Sequence, residues 1–303
     1  MIHVCLCADS NFVAPLAVTL RSLVESQPDP RTVHAVIGSF GITDLDQQAL
    51  RAVADPITLD FVDLDDEIPD DAPTSAHLNR VVYGRCAIFD HLPPETRRAI
   101  YLDCDLIVRD DIGFLERFDL GDAPLAAVQA GLVSQGLTQW RELGLSPTTP
   151  YFNSGVLVVD LEAWRDRDLG QAVIDFVYEH REVLRWGDQD GFNGVLAGDF
   201  AKLPLRWNQE TGLRRPTNSA YTFAEESEVE DAIANPAIVH FTGQDKPWNS
   251  VDRDPATREW HAICARTGLG DRIPAPRAAS PPRPRLLWFR RRAHTALGWI
   301  GRR

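Results

Sequence analysis

The sequence predicts an α/β domain built on a mostly parallel sheet with helices on both faces. Strand-like and helix-like segments alternate through the first 130 residues, short apolar runs fill the strand positions, and no internal repeat interrupts the order. Ile2–Ala8 reads as a first apolar strand, and Val13, Leu16, Leu20, Leu23 and Val24 give the next segment helical spacing over Val13–Ser26. A second strand follows at Val33–Gly38. Thr43, with Asp46 three residues on, opens a helix that runs to Val53. Ile57–Leu64 is a third strand, Ser75–Leu92 a helix stopped by Pro93-Pro94, and Arg98–Leu102 a strand that runs into Asp103. The second half is less regular: strands at Leu125–Val128, Gly155–Val159 and Ala237–Phe241, helices at Leu169–Leu184, Gly191–Leu196 and Thr257–Thr267. In such sheets ligands sit beyond the carboxyl ends of the strands, where Asp9 and Asp103 both fall.

Composition narrows the function. The 303 residues are 44% hydrophobic and 25% charged, as in an ordinary soluble globule, and no uncharged apolar run is long enough to span a bilayer. Met1 to Cys7 has no basic leader and reads directly as a strand, which argues against a signal peptide. The five cysteines are an odd number and most lie in apolar stretches, which predicts reduced thiols. The net charge of −13 divides unevenly. Residues 271–303 hold nine Arg and one acid, or +8, so the rest carries −13 − 8 = −21. A body that acidic is a poor nucleic-acid binder, and it would repel an anionic nucleotide unless a cation intervened.

Chemistry concentrates at Tyr101-Leu102-Asp103-Cys104-Asp105-Leu106-Ile107-Val108. The bare Asp-x-Asp pattern also begins at Asp44, Asp63, Asp166, Asp188 and Asp252, but only Asp103 and Asp105 have apolar residues on both sides. Two carboxylates there would be costly to bury unless they shared a hard cation.

Tyr101 to Val108 resembles the metal-binding segment of family 8 of the retaining glycosyltransferases. Further stretches match in the same order: Ala8-Asp9-Ser10-Asn11-Phe12, then Tyr83 and Arg85, then Tyr151-Phe152-Asn153-Ser154-Gly155-Val156-Leu157 with Trp164-Arg165. Asp188-Gln189-Asp190 with Asn193, and His240-Phe241-Thr242-Gly243-Gln244-Asp245-Lys246-Pro247-Trp248, complete a resemblance over about residues 1–265. It implies a GT-A type, Rossmann-like mixed sheet flanked by helices, and hexose transfer with retention from a UDP-sugar to a glycan or glycolipid acceptor. By the same resemblance Ala8, Asp9 and Asn11 bind the nucleotide, and Phe12 either stacks on the base or packs in the core. Arg85 contacts donor sugar or phosphate, or else forms an ion pair. Asp103, Asp105 and His240 hold Mn²⁺ in preference to Mg²⁺, since a mixed oxygen and imidazole shell suits manganese. Gly243 and Lys246 meet the diphosphate. Asn153 and Asp188 grip the donor sugar, and Gln189 lies at its reactive face with Asp190 as an alternative nucleophile. One departure stands out: the strand after the metal segment ends Ala127-Val128-Gln129-Ala130, without the acid that many relatives carry there.

Residues 1–270 are therefore read as one glycosyltransferase domain, and 271–303 as a Pro- and Arg-rich spacer with a basic tail. In that tail Leu286, Phe289, Ala293, Ala296, Leu297 and Ile300 share one helical stripe flanked by Arg291, Arg292, Arg302 and Arg303. The pattern predicts a membrane-surface helix and a peripheral, cytoplasmic protein on the inner face of the cell membrane. Two other classes compete: a nucleotide-sugar binder without turnover, and a nucleotidyltransferase. The second needs a Gly-rich basic loop after the first strand, which Ala8 to Phe12 lacks.

Overall fold

A computed structural model of the chain describes residues 1–73, 79–131, 139–214, 223–243, 246–249 and 254–274. Strand β1 (Ile2–Asp9) leads through a turn into helix α1 (Val13–Ser26), followed by β2 (Val33–Phe40), helix α2 (Asp44–Ala54) and β3 (Thr58–Asp63). Thr43 caps α2 as its spacing predicts, its hydroxyl accepting from the Asp46 N–H. After β4 (Arg98–Leu102) come the short β5 (Leu106–Val108), β6 (Leu125–Gln129) and the long β7 (Phe152–Asp160). Seven strands form the main sheet in the order β3-β2-β1-β4-β7-β6-β8, with β8 at Ala201–Lys202.

The sheet is mixed. Strands β1 to β4 are parallel, but β7 runs antiparallel to both β4 and β6. The mostly parallel expectation holds for every strand but β7, and the single reversed strand gives the mixed sheet expected of a GT-A fold. Because β7 is buried on both faces, its apolar run looks the same whichever way it points. Its reversal brings its first residues, Phe152 to Gly155, to the edge where β1 and β4 end.

One correction concerns Ser75–Leu92. No continuous helix follows the Asn79 cap; the chain makes a 3₁₀ turn (Arg80–Tyr83), one α turn, here α3 (Gly84–Ala87), and another 3₁₀ turn (Ile88–His91). The helix expected over Leu169–Leu184 ends earlier, as α4 (Leu169–Glu179). The next, α5 (Asp188–Leu196), starts earlier than expected and carries Asp188, Gln189 and Asp190 in its first turn.

Apolar layers cover both faces of the sheet. Leu16, Leu20 and Leu23 of α1 pack on one face with Leu6, Ile37, Ile100 and Val156. Tyr83, Phe89, Trp164 and Phe192 pack on the other with Val36, Tyr101 and Leu157. All five cysteines are free thiols. Cys5 and Cys7 are buried in the apolar layer on one face of the sheet. A small second sheet, β5-β10-β9, uses Gln209–Glu210 as β9 and Ile238–His240 as β10. Helix α6 (Pro255–Thr267) packs on α1, and a short turn over Gly270–Arg272 ends the described chain. No helix among the described residues is long and apolar enough to cross a membrane. The predicted tail helix from Leu286 to Ile300 lies outside the described residues.

Candidate metal and donor site

The site forms where the main sheet's carboxyl edge meets the small sheet. Asp103 leaves β4 and donates its N–H to the Gly155 carbonyl of β7 (2.9 Å). The turn between Asp103 and Asp105 is held from below by Thr19 of α1, whose hydroxyl donates to the Cys104 carbonyl (3.0 Å) and accepts from the Leu106 N–H (3.3 Å). His240 ends β10, which pairs with β5 in register, His240 opposite Leu106. These elements bring one ligating atom from each of Asp103, Asp105 and His240 within 4.8 Å of one another. His240 Nε2 lies 3.3 Å from Asp105 Oδ1 and 3.6 Å from Asp103 Oδ2.

Hydrogen bonding fixes which nitrogen of His240 faces the carboxylates. The Gly155 N–H can only donate, and it donates to Asn153 Oδ1 (2.9 Å). Asn208 meets that same oxygen with its Nδ2 (2.8 Å), so its Oδ1 is the atom turned to His240 Nδ1 (2.8 Å). The oxygen must accept, so His240 carries a proton on Nδ1, and in the neutral ring Nε2 presents a lone pair to two carboxylate oxygens. Three electron-rich atoms converging at this range fit a divalent cation, and their mixed oxygen and nitrogen chemistry agrees with the expected ligand set. Gly155 matters for a second reason: a Cβ there would lie 2.3 Å from His240 Cε1 and 2.7 Å from Asp103 Oδ2. Only a residue without a side chain leaves room for this arrangement.

Positive groups flank the cluster. Lys246 Nζ bonds Asp105 Oδ2 and the Phe241 carbonyl. Burial pushes the Asp105 carboxyl up, but its charged neighbours, Lys246 foremost, outweigh it and hold the group well below its usual range. Arg85, on α3, is 5% exposed. It donates to the Ser154 carbonyl (2.6 Å) and Asp103 Oδ1 (2.9 Å), with Nε 3.0 Å from Asp188 Oδ2 and the guanidinium over the Tyr101 ring. The surface ion-pair alternative for Arg85 is thus replaced by a buried clamp between two acids. Burial raises Asp188 to about 7 despite that neighbour, with Asp103 adding to the rise.

Around Arg85 the structure gathers Asn153, Asp188 and Gln189. The Ser154 hydroxyl donates to Asp188 Oδ2 (3.3 Å), the Ser154 N–H donates to Gln189 Oε1 (3.2 Å), and Gln189 Nε2 donates to the Tyr151 hydroxyl (3.2 Å). Asp190 is fully buried; Oδ1 accepts from Tyr151 (2.6 Å), and Oδ2 from the N–H groups of Arg185 and Trp186 (both 2.7 Å). At the other side Ala8 is buried, and Asp9 accepts from the Asn11 N–H (2.9 Å) and the Asn79 side chain (2.8 Å). Phe12 is half-buried and meets Trp248 edge to face, with ring centres 5.7 Å apart. Gly243 has a φ of +80°, a conformation that suits glycine. Gln244 and Asp245 lie outside the described residues. Asn208, Tyr151, Ser154 and Thr19 were not singled out as site residues from the sequence. Tyr151 and Ser154 stand inside a quoted motif, whereas Asn208 carries no local signal.

The fold and site define a glycosyltransferase of the GT-A type, an enzyme class that uses a nucleotide sugar and commonly a divalent metal. The chain belongs to glycosyl transferase family 8, whose family model matches residues 3–252. It is 31% identical over 265 residues to General stress protein A of Bacillus subtilis, covering 86% of this chain and 92% of that protein. It is 25% identical over 265 residues to the lipopolysaccharide 1,3-galactosyltransferase of Salmonella typhimurium, covering 82% and 74%. Among solved structures, the galactosyltransferase LgtC with donor and acceptor sugar analogues shares the fold, with a TM-score of 0.73 at 24% identity over 88% of this chain and 96% of that one.

Proposed function

We propose that the protein transfers a hexose, galactose or glucose, from a UDP-sugar to a lipid-linked or cell-envelope glycan, with retention and with Mn²⁺ as its metal. The carrying observation is the convergence of Asp103, Asp105 and His240, with His240 Nδ1 held by Asn208 so that Nε2 faces the two carboxylates. A divalent ion held there would act as a Lewis acid, stabilising the leaving diphosphate. The chain's own residues do the rest. Asp9 and Asn11 meet the base edge, with Phe12 beside them. Lys246 offers its charge to the diphosphate, and Gly243 lets the backbone approach it closely. Arg85, Asn153 and Asp188 orient the sugar. Gln189 keeps a carbonyl lone pair for the reactive face, where same-face attack needs a stabilising neighbour rather than a nucleophile. Both oxygens of Asp190 are already engaged, which favours Gln189 in that position. The lipopolysaccharide 1,3-galactosyltransferase among the relatives supports the hexose reading.

The basic segment 271–303 is proposed to dock the enzyme on the inner face of the membrane, facing a lipid-borne acceptor. Release of UDP from UDP-galactose or UDP-glucose is expected with Mn²⁺ and to vanish with excess chelator or with Asp103→Asn; undiminished turnover under chelation rejects the metal assignment. Deleting residues 283–303 is expected to free the protein from anionic vesicles while leaving donor hydrolysis intact. Loss of both would assign the tail a role in the catalytic domain.

A further inference from the structure

We infer that Tyr151 is a positioning residue that sets the orientation of the Gln189 amide through a one-way relay of hydrogen bonds from Asp190. The inference rests on the reading that Gln189 lies at the reactive face.

The relay starts from groups that cannot change roles. The Arg185 and Trp186 N–H groups can only donate, so Asp190 Oδ2 accepts both. Oδ1 of the same carboxylate receives the Tyr151 proton in a short bond of 2.6 Å. With its one proton committed, the phenol oxygen can only accept, so the Gln189 atom 3.2 Å away is the NH₂ nitrogen. The carbonyl of Gln189 must then point the other way, and the Ser154 N–H confirms that direction by donating to it (3.2 Å). The main chain of Gln189 is tied independently, its carbonyl accepting from Asn193 Nδ2 (2.8 Å). Tyr151, Asp190 and Asn193 are all buried, so water does not scramble the order. An amide presents an acceptor at one end and donors at the other. Turning it over would place NH₂ where the carbonyl is needed and set it against the Ser154 N–H.

Reversing the relay tests it. Asp190→Asn has nearly the same shape, but its oxygen must stay on the two N–H groups, so its NH₂ faces Tyr151 and donates to the phenol oxygen. The phenol proton then turns to Gln189 and calls for its carbonyl, which inverts the amide. Donor hydrolysis with Mn²⁺ is read as UDP release from UDP-galactose or UDP-glucose, with UDP binding measured in parallel. Tyr151→Phe is expected to lower kcat about tenfold with donor KM nearly unchanged, since only one end of the amide is released. Asp190→Asn is expected to lower kcat by a hundredfold or more. The double variant Asp190→Asn with Tyr151→Phe is expected to regain the Tyr151→Phe rate, because no phenol remains to demand the inversion. Such recovery is not expected of residues that merely stabilise the fold. A double variant as inactive as Asp190→Asn overturns the relay and returns Asp190 to the reacting groups. If Asp190→Asn does not fold, Tyr151→Phe decides alone: an unchanged kcat rejects the inference. Full activity of Gln189→Ala instead rejects the reactive-face reading on which it rests.

Discussion

Replacing Gly155 by alanine adds one methyl group at a tight point of the candidate metal site. The new Cβ would stand 2.3 Å from His240 Cε1, whereas ordinary contacts begin near 3.4 Å, so the imidazole must retreat by about 1 Å or β7 must shift. Either movement disturbs the 2.8 Å bond from His240 to Asn208 and separates Nε2 from the two carboxylates. Metal–ligand distances tolerate only about 0.2 Å, so the ion loses a well-placed ligand. Overpacking of this kind costs roughly 1–3 kcal/mol of stability, and Mn²⁺ affinity is expected to fall by about 10–100-fold, as when a ligand loses its support. The assay is a Mn²⁺ titration in the presence of UDP, followed by the electron paramagnetic resonance of the free ion, with melting curves on the same samples. Gly212→Ala serves as the control, since a Cβ there meets nothing within 4 Å. Wild-type Mn²⁺ affinity in Gly155→Ala would refute the geometric reasoning.

Three further outcomes follow from the same site. Asn208→Ala frees the His240 ring and is expected to weaken Mn²⁺ by about 10–100-fold with little change in melting temperature, checked by the same titration. Arg85→Met leaves Asp103 and Asp188 without their shared cation and is expected to destabilise the metal-free protein by about 3–5 kcal/mol, read from urea unfolding; a loss below 1 kcal/mol would show that the clamp is not a buried one. The pH dependence has a definite sign. Asp188 is raised by burial to about 7 in the folded chain, so the fold binds a proton that the unfolded chain releases between about pH 4 and 7. Stability from this group is full at the acid end and lost as pH rises through 7. The melting temperature of the metal-free wild type relative to Asp188→Asn is expected to rise on acidification across that window, and a flat difference would reject the assignment.

The sequence made the elements with regular periodicity easy to read, and α1 has the bounds that its apolar spacing implies. Thr43 announced its cap because capping is local, settled within three residues. Strand direction was not legible in β7, since a strand buried on both faces keeps no record of its neighbours' polarity. The segment before Asp103 failed as a helix for a different reason. Its backbone is shaped by side chains that reach outward, with Tyr83 bonded to the Pro73 carbonyl and Arg85 drawn to Ser154 and Asp103, and tertiary contacts of that kind override propensity. In the site, Asp103, Asp105 and His240 were legible through a resemblance spread over the whole domain. Asn208 was not, because its meaning depends on a residue 32 positions away and on a proton whose place only the assembled bonds decide.

The pairing of β5 with β10 has a consequence for how the enzyme comes into being. The two aspartates are synthesised some 130 residues before the histidine, and the short ladder from Val108 to His240 is what finally joins them. A growing chain therefore carries two of the three converging groups through a stretch of 240 − 105 = 135 residues before the third is made. The three groups can converge only once the segment carrying His240 has docked on β5, so the candidate site is completed late in the assembly of the fold.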